Sequence, residues 1–138
     1  MASAPAVERV EEVAIAVEDA DAAVTLFERL FGLAFAEEWR IEDDHMRVRA
    51  ATLAGTQVHL VEPTAEAGPI HAFLAERGEG IHHVAFRVAD LEATIAHLRE
   101  VGARLVAEEP REHDGLLYTF VHPSSAHGVL VELIEVRE

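Results

Sequence analysis

The alternation of apolar and polar residues predicts the same order of elements twice along the chain. Residues 10–17 and 81–88 are rich in Val, Ile and Phe with a period of two, which predicts a strand at the start of each half. A 3.6-residue apolar period follows each strand and predicts a helix. The helix limits are predicted by N-capping aspartates and terminating glycines, namely Asp19 and Gly32 in the first copy and Asp90 and Gly102 in the second.

Further strands complete each half, and a linker joins the halves. The linker, 63–80, carries a short helix at 69–77 that begins with proline and ends before Gly78. We therefore expect a tail at 1–9, a first βαβββ module at 10–62 and a second at 81–138, packed as one compact α+β domain. The remaining strands are predicted at 33–40, 46–53, 56–62, 104–108, 116–122 and 129–136.

Alternation also assigns the two faces of the first strand. Val13, Ile15 and Val17 share one face, which we expect to pack under the helix. The opposite face holds Glu12 beside small residues, as expected for the floor of a cavity. His83 has the same place on the first strand of the second half. The core and the site are therefore predicted on different sides of the sheet.

Metal-binding residue types recur at matching positions of the two halves. The internal repeat pairs Glu12 with His83, and His59 with Glu132. Each residue alone is compatible with a solvated or hydrogen-bonded polar group. However, Glu132 lies in an otherwise apolar run, where a buried carboxylate is costly unless it is paired. Two imidazoles and two carboxylates together predict a divalent metal site that suits Zn, Co, Ni, Mn or Fe(II), with the choice left open.

Composition narrows the chemistry and the partners. The net charge of -15 argues against nucleic acid and anionic membranes as partners. The chain has neither cysteine nor lysine, which excludes thiolate ligands, thiol nucleophiles and Schiff-base chemistry. We find no signal-peptide pattern at the start and no apolar run of membrane-spanning length, so a cytoplasmic protein is expected.

A family resemblance is carried by six segments of the chain, namely 13–17, 61–63, 69–88, 108–110, 122–125 and 128–133. They resemble the vicinal oxygen chelate superfamily, which includes glyoxalase I, extradiol dioxygenases and antibiotic-resistance binding proteins. The likeness is closest to the methylmalonyl-CoA epimerase branch and covers nearly the whole chain. It implies two modules related by a pseudo-twofold axis, which form a cupped mixed sheet around a metal site, and it makes a homodimer the expected assembly.

The resemblance implies that Glu12, His59, His83 and Glu132 are the metal ligands. His83 and Glu132 match the epimerase pattern as they stand. The epimerases usually have His at the position of Glu12, and Gln or Glu at that of His59. The two differences preserve the inventory of imidazoles and carboxylates, which favours a retained metal.

The same resemblance implies a metal-dependent epimerase that moves an α-proton through an enolate, with a methylmalonyl-CoA-type thioester as substrate. The metal would act as a Lewis acid on the carbonyl. Some relatives carry a catalytic carboxylate on the third strand, where our alignment puts Arg47, which is no base at neutral pH. Glu132 is then the expected base. His45 and Asp44 are candidates for the second proton carrier, although 43–45 also fits an exposed turn.

Two other classes of function stay open on the sequence. One is a different metalloenzyme of the superfamily, either a glyoxalase I-type lyase or isomerase, or an Fe(II) dioxygenase that uses two histidines and one carboxylate. The other is a non-enzymatic small-molecule binder of the resistance-protein kind.

Overall fold

The computed structural model describes residues 6–137, and the chain separates into two compact units. The N-terminal unit runs from Glu12 to His82. The C-terminal unit consists of two segments, the described residues up to Glu11 and the described residues from His83 onward. Residues 1–5 of the predicted tail lie outside the described part of the chain.

Each unit takes its elements in the order strand, helix and three strands. In the N-terminal unit the strand order is β2-β3-β4-β1, in the C-terminal unit it is β5-β8-β7-β6, and the last strand of each module is parallel to the first. A helix, α2, follows β4. The bounds are β1 Val7–Ala16, α1 Ala20–Phe31, β2 Glu37–Ile41, β3 Met46–Leu53, β4 Thr56–Pro63, α2 Gly68–Arg77, β5 Gly80–Val88, α3 Leu91–Glu100, β6 Arg111–His113, β7 Leu116–Val121 and β8 Val131–Val136.

The predicted helix limits are confirmed at the N-caps. The Asp19 carboxylate accepts the Ala22 N–H at 3.1 Å, and the Asp90 carboxylate accepts the Ala93 N–H at 3.0 Å. These bonds satisfy amide groups that the first turn of a helix leaves without a partner. Gly32 ends α1 with a φ of 70°, a left-handed conformation that glycine adopts without a steric penalty.

The bulky faces of the first strands pack under the helices, as predicted. In the N-terminal unit Val17 is buried against α1, with Ile15 packed beside it. In the C-terminal unit Val88 is buried against α3, with Phe86 packed beside it. Each module therefore has its own apolar core between one helix and one face of its sheet.

A second apolar cluster lies on the opposite face of the N-terminal sheet. Ala14 and Ala16 are fully buried there, and Ile70 of α2 is only 2% exposed. Burying a side chain of this size contributes about 2–3 kcal/mol. The prediction that core and site lie on different sides of the sheet is therefore wrong in part, because α2 fills some of the site-bearing face. The cluster also contains Val48, Val61, Trp39, Met46, Phe73 and Leu74.

Two predicted strands differ from the structure. The strand predicted at 33–40 begins only at Glu37, because Leu33 and Phe35 pack against the α1 cluster instead. The strand predicted at 104–108 is wrong, since this segment forms only an isolated bridge between Leu105 and Val121. The described helices include none that is long and apolar enough to cross a membrane.

Candidate metal centre

The N-terminal unit brings Glu12 and His59 together. They lie on the adjacent parallel strands β1 and β4, where Ala14 is the register partner of His59. Because side chains alternate, Glu12 points to the same face as Ala14 and His59. The Nδ1 atom of His59 is 3.1 Å from Oε2 of Glu12, and the two side chains are 8% and 12% exposed.

The C-terminal unit brings His83 and Glu132 together in the same way. They lie on the parallel strands β5 and β8, where Ala85 is the register partner of Glu132. The Nε2 atom of His83 is 3.1 Å from Oε1 of Glu132, and the two side chains are 11% and 9% exposed. The four residues that the internal repeat predicted thus form one imidazole–carboxylate pair in each unit.

Aromatic side chains hold both imidazole rings edge to face. Trp39 lies 5.1 Å from the His59 ring between centroids, and Phe120 lies 5.4 Å from the His83 ring. Such contacts restrict the rotation of each ring. His59 has one further partner, Gln57, whose Oε1 lies 2.7 Å from Nε2 of the ring. The sequence analysis did not identify Trp39 or Gln57, since only the strand register shows what they contact.

The donor chemistry and spacing of both pairs fit a divalent metal ion. Zinc binds imidazole nitrogen and carboxylate oxygen at about 2.0–2.2 Å, so two donors on one ion lie roughly 2.8–3.6 Å apart for angles of about 90–110°. Both measured separations are 3.1 Å. Glu12, His83 and Glu132 each offer one ligand atom of a type that such ions accept.

Arg47 lies on the face of β3 opposite to His59. Ala50 is the register partner of His59, so Ala50 shares its face and Arg47, three residues earlier, points away. Its guanidinium donates to Asp21 at 2.6 Å and to Glu38 at 2.5 Å. These hydrogen bonds lower the pKa of both carboxylates. Arg47 therefore links β3 to α1 and β2.

The other residues predicted near the third strand lie in the turn that precedes it. Asp44 ends a short 3₁₀ turn and is half-buried, and His45 follows with an exposed side chain and a φ of 53°. The His45 carbonyl accepts the Thr64 N–H at 2.9 Å, which ties this turn to the segment before α2. On β3 itself, three apolar residues share the face of His59, namely Met46, Val48 and Ala50, and the exposed Thr52 follows them as the register partner of Gln57.

On β4 and on β8, a glutamate three residues after the metal-binding candidate binds the N-terminus of a helix. Glu62 on β4 accepts the Ala20 N–H of α1 at 2.7 Å, and Glu135 on β8 accepts the Leu91 N–H of α3 at 2.8 Å. Two hydrogen bonds lower the pKa of Glu135, and the one from the Leu91 N–H has a larger effect than the one from Arg137. The repeat pairs these two glutamates, which was the sequence signal for them. Each helix N-terminus is therefore bonded to a strand that carries a metal-binding candidate three residues earlier.

Comparison with known proteins shows similarity over nearly the whole chain. The model of the Glyoxalase/Bleomycin resistance protein/Dioxygenase superfamily matches residues 11–120. An ethylmalonyl-CoA/methylmalonyl-CoA epimerase of Cereibacter sphaeroides is 35% identical, over 93% of this chain and 98% of that protein. A crystal structure of methylmalonyl-CoA epimerase from Mycobacterium tuberculosis has a TM-score of 0.90 at 34% identity, over 100% of this chain and 94% of that one.

A further solved structure carries a ligand. It is a methylmalonyl-CoA epimerase in complex with methylmalonyl-CoA and NH4+, with a TM-score of 0.87 at 32% identity, over 95% of this chain and 96% of that one. The similarity extends over both βαβββ modules and confirms the α+β fold class that the sequence predicted.

Proposed function

Because the chain belongs to the Glyoxalase/Bleomycin resistance protein/Dioxygenase superfamily, we propose that it is an isomerase that epimerises a methylmalonyl-CoA-type thioester. The observation that carries the proposal is the pair of buried imidazole–carboxylate contacts at equivalent strand positions. The relatives named as methylmalonyl-CoA epimerases support the substrate class. The resemblance to the epimerase branch that the sequence predicted is confirmed by the same relatives.

The proposal includes one divalent metal ion shared by the two pairs. Its ligands would be Glu12, His59, His83 and Glu132, each an imidazole nitrogen or a carboxylate oxygen. When bound, such an ion supplies Lewis-acid stabilisation of negative charge on a carbonyl oxygen. The chain itself contributes buried strand positions that hold the donors in place before substrate arrives.

Proton transfer is assigned to side chains of the chain. Glu132 takes the α-proton through the carboxylate oxygen that does not face His83. Epimerisation needs a second proton carrier on the other side of the substrate. We assign this role to the turn before β3, where Asp44 and His45 are the two candidates. Positioned acids and bases of this kind contribute about 10²–10⁴-fold each to rate.

The substrate is proposed to be an acyl-CoA thioester, and the protein is proposed to act as a homodimer. The family resemblance supports the dimer, and light scattering of the purified protein at micromolar concentration would check it. The apolar cluster formed by Trp39, Val48 and the α2 side chains supports exclusion of water from the N-terminal side of the site. An enolate is protected from bulk water in such surroundings.

The test is proton NMR of methylmalonyl-CoA in D₂O with the protein loaded with Co(II) or Mn(II). We expect enzyme-dependent loss of the C2 proton signal, and its absence in His83→Ala. Metal analysis of the same samples should give one ion per chain in the wild type, and two would contradict the shared site. A loaded protein that exchanges no proton would overturn the epimerase assignment and leave another metal reaction of the superfamily.

Two further variants identify the second proton carrier. Asp44→Asn and His45→Gln, each prepared with full metal content, separate the two candidates. The correct one should retain C2 proton exchange in one epimer while it loses interconversion of the two, because Glu132 still removes and returns a proton on its own side. Full interconversion in both variants would exclude the turn.

A further inference from the structure

We propose that Gln57 is a positioning residue that fixes which nitrogen of His59 binds metal. Its side-chain oxygen accepts the Nε2 proton, which leaves the Nδ1 lone pair directed at the ion beside Glu12. This inference rests on the metal site of the proposed function and adds to it a residue that contacts no substrate.

The geometry around His59 accounts for both ring nitrogens. Nε2 lies 2.7 Å from Oε1 of Gln57, and Nδ1 lies 3.1 Å from Oε2 of Glu12. A neutral imidazole donates from one nitrogen and accepts at the other. The Gln57 amide oxygen and the Glu12 carboxylate are both acceptors, so a neutral ring can donate to only one of them. When a metal ion beside Glu12 takes the Nδ1 lone pair, the N–H must lie on Nε2, where the Gln57 oxygen accepts it.

The position of Gln57 is set by β4. It lies two residues before His59, so both side chains point to the same face of the strand. Gln57 is half-buried and His59 is buried, while the Trp39 ring packs edge-on against the imidazole. The ring is thereby held from two sides. Its orientation is set before a metal ion arrives.

The two units differ at the position of Gln57, as a positioning role for this residue requires. The repeat pairs His59 with Glu132, and it pairs Gln57 with Leu130. A carboxylate ligand on β8 has no second ring nitrogen and needs no acceptor for an N–H. An imidazole at the same position of β4 does need one. The amide is present in the unit in which the last strand carries a histidine.

The first test is metal affinity. Gln57→Leu installs the residue found at the equivalent place in the other unit, and Gln57→Glu keeps an acceptor oxygen. Partners that hydrogen-bond a metal-binding histidine typically contribute about 10–100-fold to affinity. We expect Gln57→Leu to weaken Co(II) binding by that factor in calorimetric titration. Gln57→Glu should bind within about threefold of the wild type or more tightly, if the hydrogen bond is what matters.

The second test reports the hydrogen bond itself. In the Co(II)-loaded protein, the N–H of a bound imidazole gives a shifted proton signal that disappears when it exchanges with solvent. The His59 signal, identified by its absence in His59→Ala, should persist in the wild type and in Gln57→Glu. It should be lost in Gln57→Leu, whereas the His83 signal stays unchanged. A merely structural role for Gln57 would alter thermal melting without this selective loss.

The outcomes separate this inference from the function. Wild-type affinity and a protected His59 N–H in Gln57→Leu would overturn the positioning role, even if proton washout from methylmalonyl-CoA succeeds. Weakened Co(II) binding with the selective N–H loss would support it, even if no washout occurs. A wild-type protein that binds no Co(II) would overturn both the shared metal and the role of Gln57.

Discussion

The two units use the same strand register but place opposite residue types in it. In the C-terminal unit the first strand carries the imidazole, His83, and the last strand carries the carboxylate, Glu132. In the N-terminal unit the first strand carries Glu12 and the last strand carries His59. Both pairs have the same 3.1 Å separation. The register therefore determines where a donor lies, and the donor type can be exchanged between partners.

The surroundings of the two pairs differ more than the pairs do. The N-terminal face carries the apolar residues Val48 and Trp39. At the equivalent positions the C-terminal unit has Tyr118 and Arg111, whose guanidinium carbon lies 5.6 Å from the centre of the tyrosine ring. The two units thus have alike donors, but Trp39 and Val48 of the N-terminal unit are replaced by an arginine and a tyrosine in the C-terminal unit.

Exchanging the donors within the N-terminal unit tests this comparison most strongly. Glu12→His and His59→Glu each leave two like groups in the pair, and we expect each to weaken Co(II) affinity by more than about 10-fold. The double variant restores one imidazole and one carboxylate in the order seen in the C-terminal unit. It should recover to within about 10-fold of the wild type in calorimetric titration. An effect equal to the product of the single changes would show that the order of donors matters.

Removing the glutamates that bind the helix N-termini should have an effect of intermediate size on stability. Glu62→Ala and Glu135→Ala each leave the first N–H of a helix without its acceptor, a loss of about 1 kcal/mol in the free energy of unfolding. We expect effects of similar size, because each glutamate also contacts an arginine: Glu62 lies 3.4 Å from Arg47, and Glu135 accepts a hydrogen bond from Arg137 at 2.8 Å. Urea unfolding at neutral pH measures both. Equal stability of wild type and Glu62→Ala would contradict the contact with Ala20.

A smaller effect on the free energy of unfolding should appear at acidic pH. The pKa of Glu135 is lowered below its ordinary value of 4.5 by the Leu91 N–H and by Arg137. A carboxylate with a lowered folded pKa stabilises the fold above its unfolded pKa, and this contribution is lost as pH falls through the folded value. The stability difference between wild type and Glu135→Gln should therefore narrow below about pH 4.5. A difference that stays constant from pH 7 to pH 3 would contradict this assignment.

The smallest effect on the metal is expected for Arg47→Ala. Because Arg47 points away from the face of His59, its removal should leave the metal content per chain unchanged. It should lower the melting temperature by a few degrees, since β3 loses its bonds to Asp21 and Glu38. Loss of metal in this variant would contradict the assignment of the two faces of β3.

The sequence predicted those parts of the fold that local chemistry determines. Asp19 and Asp90 act within one helical turn, so their capping could be predicted without tertiary information. The strand predicted at 104–108 is wrong because only Leu105 packs, against the α3 core, while Val106 is 56% exposed and the segment forms a single bridge instead of a strand ladder. The three-residue strand β6 is polar and exposed, and it forms only because β7 lies beside it.

The sequence could predict only those site residues that the internal repeat pairs between the two halves. Matching positions identified Glu12 and His83 as equivalent, and His59 and Glu132 likewise. Gln57 has no counterpart with the same chemistry in the other half, so the repeat gave no signal for it. The face on which Arg47 lies also depended on the register of β3 with β4, which a single sequence does not contain.

The glutamates that bind the helix N-termini have a consequence for the entropy of metal binding. A strand whose end is bonded to a packed helix has lost most of its backbone freedom during folding. The backbone that carries the donors three residues away is therefore already ordered when an ion arrives. The duplicated anchor, Glu62 in one module and Glu135 in the other, transfers the cost of arranging the donors from metal binding to the folding of each module.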